Sequence, residues 1–199
     1  LAEVGSARYL VTSEPARPGL SSYALDAALR ARPVDRVEDS VKSTVSGVSD
    51  LLTMTVQGST FVVSASNLEN GFTVYRIGPG GGLELRDTLG PKDGLWSDGL
   101  GSVTTASVGG QDFLVAVSPD SGTIAAVRIN PVGALFIADV VHDTLETRFD
   151  GAQALTGFQV HAREFVVTGG TDMGISVFEL LPGGTLFHHR SLPQAPEWA

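Results

Sequence analysis

Four short β-branched runs, each opened by an aromatic residue, recur along the chain at one interval: YLVTS at Tyr9, FVVSA at Phe61, FLVAV at Phe113 and FVVTG at Phe165. The differences 61−9, 113−61 and 165−113 are each 52. Gly19, Gly71, Gly122 and Gly174, which open the following runs, keep nearly the same beat, with spacings of 52, 51 and 52. A fixed long period marks a repeat architecture, in which each unit buries its apolar faces against its neighbours.

Within the second unit the pattern predicts four strands. Strand A covers about 51–57 (LLTMTVQ), then a tight turn at Gly58-Ser59 leads to strand B at about 60–66 (TFVVSAS). Strand C covers about 71–77 (GFTVYRI), and the glycine-rich turn GPGGG leads to strand D at about 83–89 (LELRDTL). Val, Thr, Phe and Tyr suit pleated, half-buried surfaces, while Gly, Asn, Asp and Pro suit the turns between them. Gly makes up 24 of 199 residues and charged residues 18%, against averages of about 7% and about 25%, as expected of a turn-rich β protein.

Four antiparallel strands in about 50 residues, repeated, is the footprint of a β-propeller blade. The prediction is an all-β fold: a β-propeller with four four-stranded blades of about 52 residues, forming one domain over 1–199. The blades fall at about 1–50, 51–102, 103–154 and 155–199. A solenoid lacks support because no helix and no period of 20–29 residues is present, and a pair of sandwiches gives no reason for the echo. The first unit is the most divergent. Its stretch SYALDAALRARPVDRVEDSV is helical by propensity, and only the repeat phase makes it a C–D hairpin. Leu1 falls in phase with Thr53, inside a strand A, so the expectation is a fragment of a larger propeller, or a ring completed by another chain.

The copied unit resembles the blades of lactonase-like (6-phosphogluconolactonase-type) propellers, also found as modules in secreted, RTX-type calcium-binding bacterial proteins. The residues carrying the resemblance are Asn70-Gly71-Phe72-Thr73-Val74-Tyr75-Arg76-Ile77, Asp172-Met173-Gly174-Ile175-Ser176-Val177-Phe178-Glu179-Leu180 and Pro182-Gly183-Gly184-Thr185-Leu186. They are strand and turn residues, specific for blade type and not for chemistry. The resemblance implies an extracellular, periplasmic or envelope protein. The RTX nonapeptide is absent, and DGLWSDGLGS at 93–102 has its composition without its spacing, so calcium is implied only for a region outside this chain.

The net charge of −9 argues against a nucleic-acid backbone, whose binding is driven by Lys and Arg neutralising phosphates. Lys42 and Lys92 are the only lysines. With no cysteine in the chain, a disulfide framework, a thiolate-ligated metal and thiol catalysis are excluded. No segment reaches the 18 or so apolar residues of a membrane span.

On a propeller the D–A and B–C connections share one face. Loops as long as 90–102 and 142–153 are more often functional than shorter connections. They carry Asp93, Trp96, Asp98, His142, Asp143 and Asp150, and the B–C turns add Asn67, Glu69, Asp120 and Asp172. Carboxylates from several blades offer hard oxygen ligands to a cation such as calcium, although Asp and Gly are also what tight turns require. Trp96 either presents an aromatic to a sugar ring or partner, or folds back over the blade edge as a plug. His188 and His189 adjoin in a strand and point to opposite faces, so they cannot chelate one metal. His161 lies by an A–B turn, away from His142.

Neither a G-x-S-x-G elbow nor a G-x-x-x-x-G-K-[ST] loop occurs, and GPGGG lies between strands instead of opening a helix. The expected function is therefore a non-catalytic binding or interaction module, with a protein or glycan partner, no cofactor and no metal site. Its expected site residues are Asp93, Trp96, Asp98, Asp120, His142, Asp150 and Asp172. A lactonase-like hydrolase, with its acid/base groups on the same face, and a structural half-propeller that self-associates are the alternatives.

Overall fold

The structure, a computed structural model, describes residues 1–194; most of the C-terminal tail PQAPEWA lies outside them. Sixteen strands form four separate four-stranded antiparallel sheets, each in simple meander order. The first holds β1 (Ala2–Val4), β2 (Ala7–Ser13), β3 (Gly19–Leu25) and β4 (Ala31–Glu38). The second holds β5 (Val48–Val56), β6 (Ser59–Ser66), β7 (Gly71–Ile77) and β8 (Leu83–Leu89). The third holds β9 (Val103–Val108), β10 (Gln111–Ser118), β11 (Thr123–Ile129) and β12 (Leu135–His142). The fourth holds β13 (Ala152–Val160), β14 (Arg163–Gly170), β15 (Gly174–Leu180) and β16 (Leu186–Pro193). These are the four blades of a β-propeller.

The second and third strands of the middle blades are covered on both sides by neighbouring blades, so they read as unbroken apolar runs. Phe61, Val62 and Val63 are all buried, as are Phe113, Leu114 and Val115. The helix-prone stretch of the first unit is the hairpin β3–β4, because its residues pair with β2 in the shared register. Strand β5 begins at Val48, three residues before the expected start, and the turn after it is Gln57-Gly58, both at positive φ.

Two devices join successive blades. In every blade the last strand bulges against its partner, skipping Val34, Arg86, Ala138 or His189. Such an extra residue sharpens the local twist. In the first three blades the next residue is an aspartate, and its carboxylate bonds in two directions. Oδ1 accepts the following backbone N–H, whereas Oδ2 of Asp35, Asp87 and Asp139 accepts the N–H of Leu83, Leu135 and Leu186 in the next blade at 2.8, 2.7 and 2.8 Å. Residue 190, the counterpart in the fourth blade, is Arg.

The second device is an aromatic ring against a glycine. Tyr9, Phe61 and Phe113 lie under the C–D turn of the next blade, at Gly81, Gly133 and Gly184, all at positive φ. A Cβ there would stand 2.5, 2.8 and 2.5 Å from the ring atoms, so no other residue fits without displacing the ring. Tyr9 adds a hydrogen bond from its hydroxyl to the Pro79 carbonyl.

Three apolar clusters fill the three joints, first to second, second to third and third to fourth. Among the described residues no apolar cluster joins the first blade to the fourth, and the four blades form an open arc.

Candidate functional site

The linkers between blades and the B–C turns meet on one face of the arc. The Ser46 N–H donates to Glu69 Oε2 at 2.8 Å, the Gly99 N–H to Asn70 Oδ1 at 2.9 Å, and the Asp143 N–H to the Gly122 carbonyl at 2.8 Å. The face on which candidate residues were expected is therefore formed as predicted.

The first and third linkers, 39–47 and 143–151, are built alike. Asp39 Oδ1 accepts from the Ser43 hydroxyl and the Val45 N–H, and Asp143 Oδ1 from the Thr147 hydroxyl and the Phe149 N–H. Each carboxylate caps its own turn, the common use of Asp in tight loops. The middle linker, 90–102, departs from this plan. It is four residues longer, and β9 is correspondingly short at six residues, against nine in β5 and β13. It opens with a 3₁₀ turn, Pro91–Asp93, in which Asp93 Oδ2 accepts the Gly90 N–H at 3.0 Å.

Between the first and middle linkers lies a cleft of about 430 Å³. Its walls carry Lys42 and Lys92, the only lysines of the chain, together with Ser43, Thr44, Thr88, Glu69 and Asp93. Neither ammonium group is ion-paired among the described residues. A line of hydroxyls runs beneath it, with Thr44 Oγ1 3.0 Å from Thr73 Oγ1 and Thr88 Oγ1 donating to the Lys42 carbonyl at 2.9 Å. Burial lifts the Glu69 carboxyl above its ordinary range; the Ser46 N–H opposes this and the Asp39 charge adds to it. The Tyr75 phenol, behind the first linker, is raised chiefly by burial, against a lowering hydrogen bond with Ser43. A carboxyl raised by burial in a cleft is suited to holding or moving a proton.

The expected site residues are spread along the face instead of gathered. Asp93 lines the cleft. Asp98 accepts from Asn70 Nδ2 at 2.8 Å, and Asp120 packs where a Cβ on Gly99 would otherwise sit. Asp150 lies beside Gly122, Asp172 is 3.8 Å from the Arg148 guanidinium, and His142 ends β12 opposite Thr123. No group of three His, Asp or Glu side chains comes together to hold a metal ion among the described residues. Of the two placements expected for Trp96 the structure has the exposed one: the ring is 75% exposed and plugs nothing, while Leu95 and Leu100 are fully buried. His188 lies against Phe178 and His189 against Phe165, on opposite faces of their sheet, as the alternation requires. Lys42, Ser43, Thr44 and Thr88 were not singled out from sequence. The signal was there in the pairing of the only two lysines, each at the start of a linker.

No protein-family model matches the chain, and no curated protein is similar to it in sequence. Among solved structures it is similar to a functionally unknown protein of Desulfotomaculum acetoxidans, with 12% identity and a TM-score of 0.70, over 98% of this chain and 55% of that one. It is similar to a periplasmic gluconolactonase of Pseudomonas aeruginosa, with 18% identity and a TM-score of 0.61, over 93% and 53%. It is also similar to an exo-β-1,3-galactanase of Phanerochaete chrysosporium solved with β-1,3-galactotriose, with 13% identity and a TM-score of 0.57, over 98% and 49%. The fold is thus a β-propeller fold, and the chain spans about half the length of these structures. Among the described residues no helix is long and apolar enough to cross a membrane.

Proposed function

We propose that this chain is a binding module acting through its loop face, and that the cleft between the first two linkers takes a small polyhydroxylated anion of the sugar-acid class. One observation carries the reading: in a chain of net charge −9, the only two lysines stand unpaired in one hydroxyl-lined cleft. Ammonium groups there supply a local attraction that the overall charge opposes, and the threonine and serine hydroxyls suit ligand hydroxyls. Binding of gluconate, followed by titration calorimetry, tests it. The Lys42→Ala/Lys92→Ala variant is expected to bind at least about tenfold more weakly, the equivalent of about 1.4 kcal/mol. Wild-type protein that gives no heat with gluconate, or a variant that binds it unchanged, refutes the reading.

A second reading, lactone hydrolysis, is supported by the raised Glu69 carboxyl in the same cleft and by the similarity in fold to a gluconolactonase. Here Glu69 would take a proton from the attacking water. It requires gluconolactone opening above the spontaneous rate, abolished by Glu69→Gln without loss of gluconate binding. The same reading puts the protein outside the cytoplasm. Its support is the resemblance to secreted propeller modules, together with the periplasmic location of that similar gluconolactonase. Fractionation of the producing cell tests it.

A further inference from the structure

The loop face divides at the middle linker into halves of opposite character. The first and third linkers share one plan, yet Lys42 of the first stands where the third has Glu146. Beyond the middle linker's opening turn, the segments 95–101, 119–122, 143–151 and 171–173 carry Asp98, Asp120, Asp143, Glu146, Asp150 and Asp172 against a single cation, Arg148. These segments touch one after another. The Asp98 N–H donates to Ser121 Oγ at 3.0 Å, the Asp143 N–H to the Gly122 carbonyl at 2.8 Å, and Arg148 Nη1 lies 3.8 Å from Asp172 Oδ1. Asp98, Asp120, Glu146 and Asp150 are exposed, and no cation pairs with any of them among the described residues.

Three large apolar side chains rise from the same half: Trp96, Leu145 at 101% exposure and Met173 at 62%. Local structure holds each of them out. The Ser97 N–H donates to the Leu95 carbonyl at 3.0 Å, which makes Trp96 the apex of a three-residue turn. Asn70 and Ser121 pin that turn from either side, Asn70 through both the Gly99 N–H and the Asp98 carboxylate. Leu145 is the tip of a linker whose backbone Asp143 fastens. Met173 stands at φ 44, a left-handed conformation that Asn70, at the same place in the second blade, adopts at lower cost. Ser97, next to the indole, is 8% exposed, and its hydroxyl is the one side-chain oxygen buried without a hydrogen-bond partner among the described residues. A polar atom of an occupant beside the indole would satisfy it.

We propose that this half of the loop face is a docking surface for a basic amphipathic segment of another protein, one in which Lys or Arg alternates with apolar residues. The apolar residues lie against Trp96, Leu145 and Met173, and the cations against the unpaired carboxylates between them. A guanidinium or ammonium beside Trp96 gains from the indole face as well as from Asp98. An acidic segment gains the apolar contact alone and is opposed by the local charge. Apolar groups held out in advance lose little freedom on binding, which suits them as anchors. The anion cleft lies apart, between the first two linkers.

Anisotropy of a fluorescein-labelled peptide of repeated Leu-Lys-Lys-Leu units, titrated with the full chain at about 0.1 M salt, tests the surface. Saturable binding is expected, with oligolysine of equal charge binding at least about tenfold more weakly. Affinity should fall at about 1 M salt, where the screening length shortens to about 3 Å. Trp96→Ala/Leu145→Ser and, separately, Asp120→Lys/Asp150→Lys should each weaken binding at least about tenfold. All four positions are exposed, so both variants should keep the far-ultraviolet circular dichroism of the natural chain. Lys42→Ala/Lys92→Ala should bind the peptide as the natural chain does, whatever becomes of gluconate. Absence of saturable binding, equal binding of oligolysine, an affinity indifferent to salt, or unchanged binding by either face variant overturns the proposal. Loss of the peptide in the lysine variant puts it in the cleft and overturns the proposal as well. Heat with cellotetraose that Trp96→Ala abolishes, in place of peptide binding, makes the indole a sugar platform, with the same consequence.

Discussion

Replacing Asp87 by alanine removes the acceptor that ties the second blade to the third, and with it the acceptor of the following N–H in its own strand. The Leu135 N–H, 2.7 Å from Oδ2, belongs to a residue only 6% exposed and gains no water when the carboxylate goes. A buried N–H left without an acceptor costs about 1–3 kcal/mol. The Thr88 N–H, 2.9 Å from Oδ1, lies on a partly exposed strand and recovers water at a cost of at most about 1 kcal/mol. The sum for Asp87→Ala is about 1–4 kcal/mol, a large share of the stability of a domain this size. Asp87→Asn keeps one oxygen but turns an amide N–H₂ toward the second donor, for an expected loss of about 1–2 kcal/mol. Urea unfolding followed by far-ultraviolet circular dichroism measures both. Amide exchange at Leu135 reports the joint directly. Arg190→Asp puts a carboxylate at the equivalent position of the fourth blade, which has no neighbouring sheet on that side among the described residues, and should stay within about 0.5 kcal/mol of the natural chain. An Asp87→Ala protein that unfolds within that same margin refutes the joint as described.

Gly133→Ala should destabilise by about 2–4 kcal/mol, since it adds a Cβ 2.8 Å from the Phe61 ring at φ +87; Gly183→Ala, at φ +93 in open space, should lose only about 1 kcal/mol by the same urea assay. The Arg163 guanidinium holds the Glu179 carboxyl below the ordinary range, so its stabilisation is present above the unfolded-state pKa and is lost as pH falls through the lowered native value. Burial lifts Glu164, so its native form holds the proton more tightly, and stability falls as pH rises from the ordinary carboxyl value to the raised one. Urea midpoints across the acid range, compared with those of Glu179→Gln and Glu164→Gln, should lose the corresponding slope in each variant. Leu95→Ala should cost about 2–5 kcal/mol and Trp96→Ala less than about 0.5, the reverse of what a plugging tryptophan would give.

Much of the blade was legible in the sequence because its signals are local. The runs 71–77 and 83–89 coincide with β7 and β8, since each is bounded by glycine-bearing turns and filled with residues that suit a pleat. The hairpin of the first unit could be read only from phase, as pairing with β2 overrides the helical propensity of its alanines. The joints were less visible. An aspartate in an outer strand reads as a solvated residue, and nothing local shows that Asp35, Asp87 and Asp139 reach the next blade. The cleft was illegible for a related reason: its side chains come from 40–44, 69 and 88–93, which meet only once the linkers cross the blade ends. At Trp96 the sequence left two adjacent apolar residues competing for one interior position, and the smaller, Leu95, took it.

Because every blade bonds only to its immediate neighbours, the arc behaves as a linear array whose free energy is a sum over blades and joints. Removing cover from one end thins the sum at that end alone. The two terminal blades, each held on one side, then open most often, while the middle pair, gripped from both sides, holds out until the whole chain gives way.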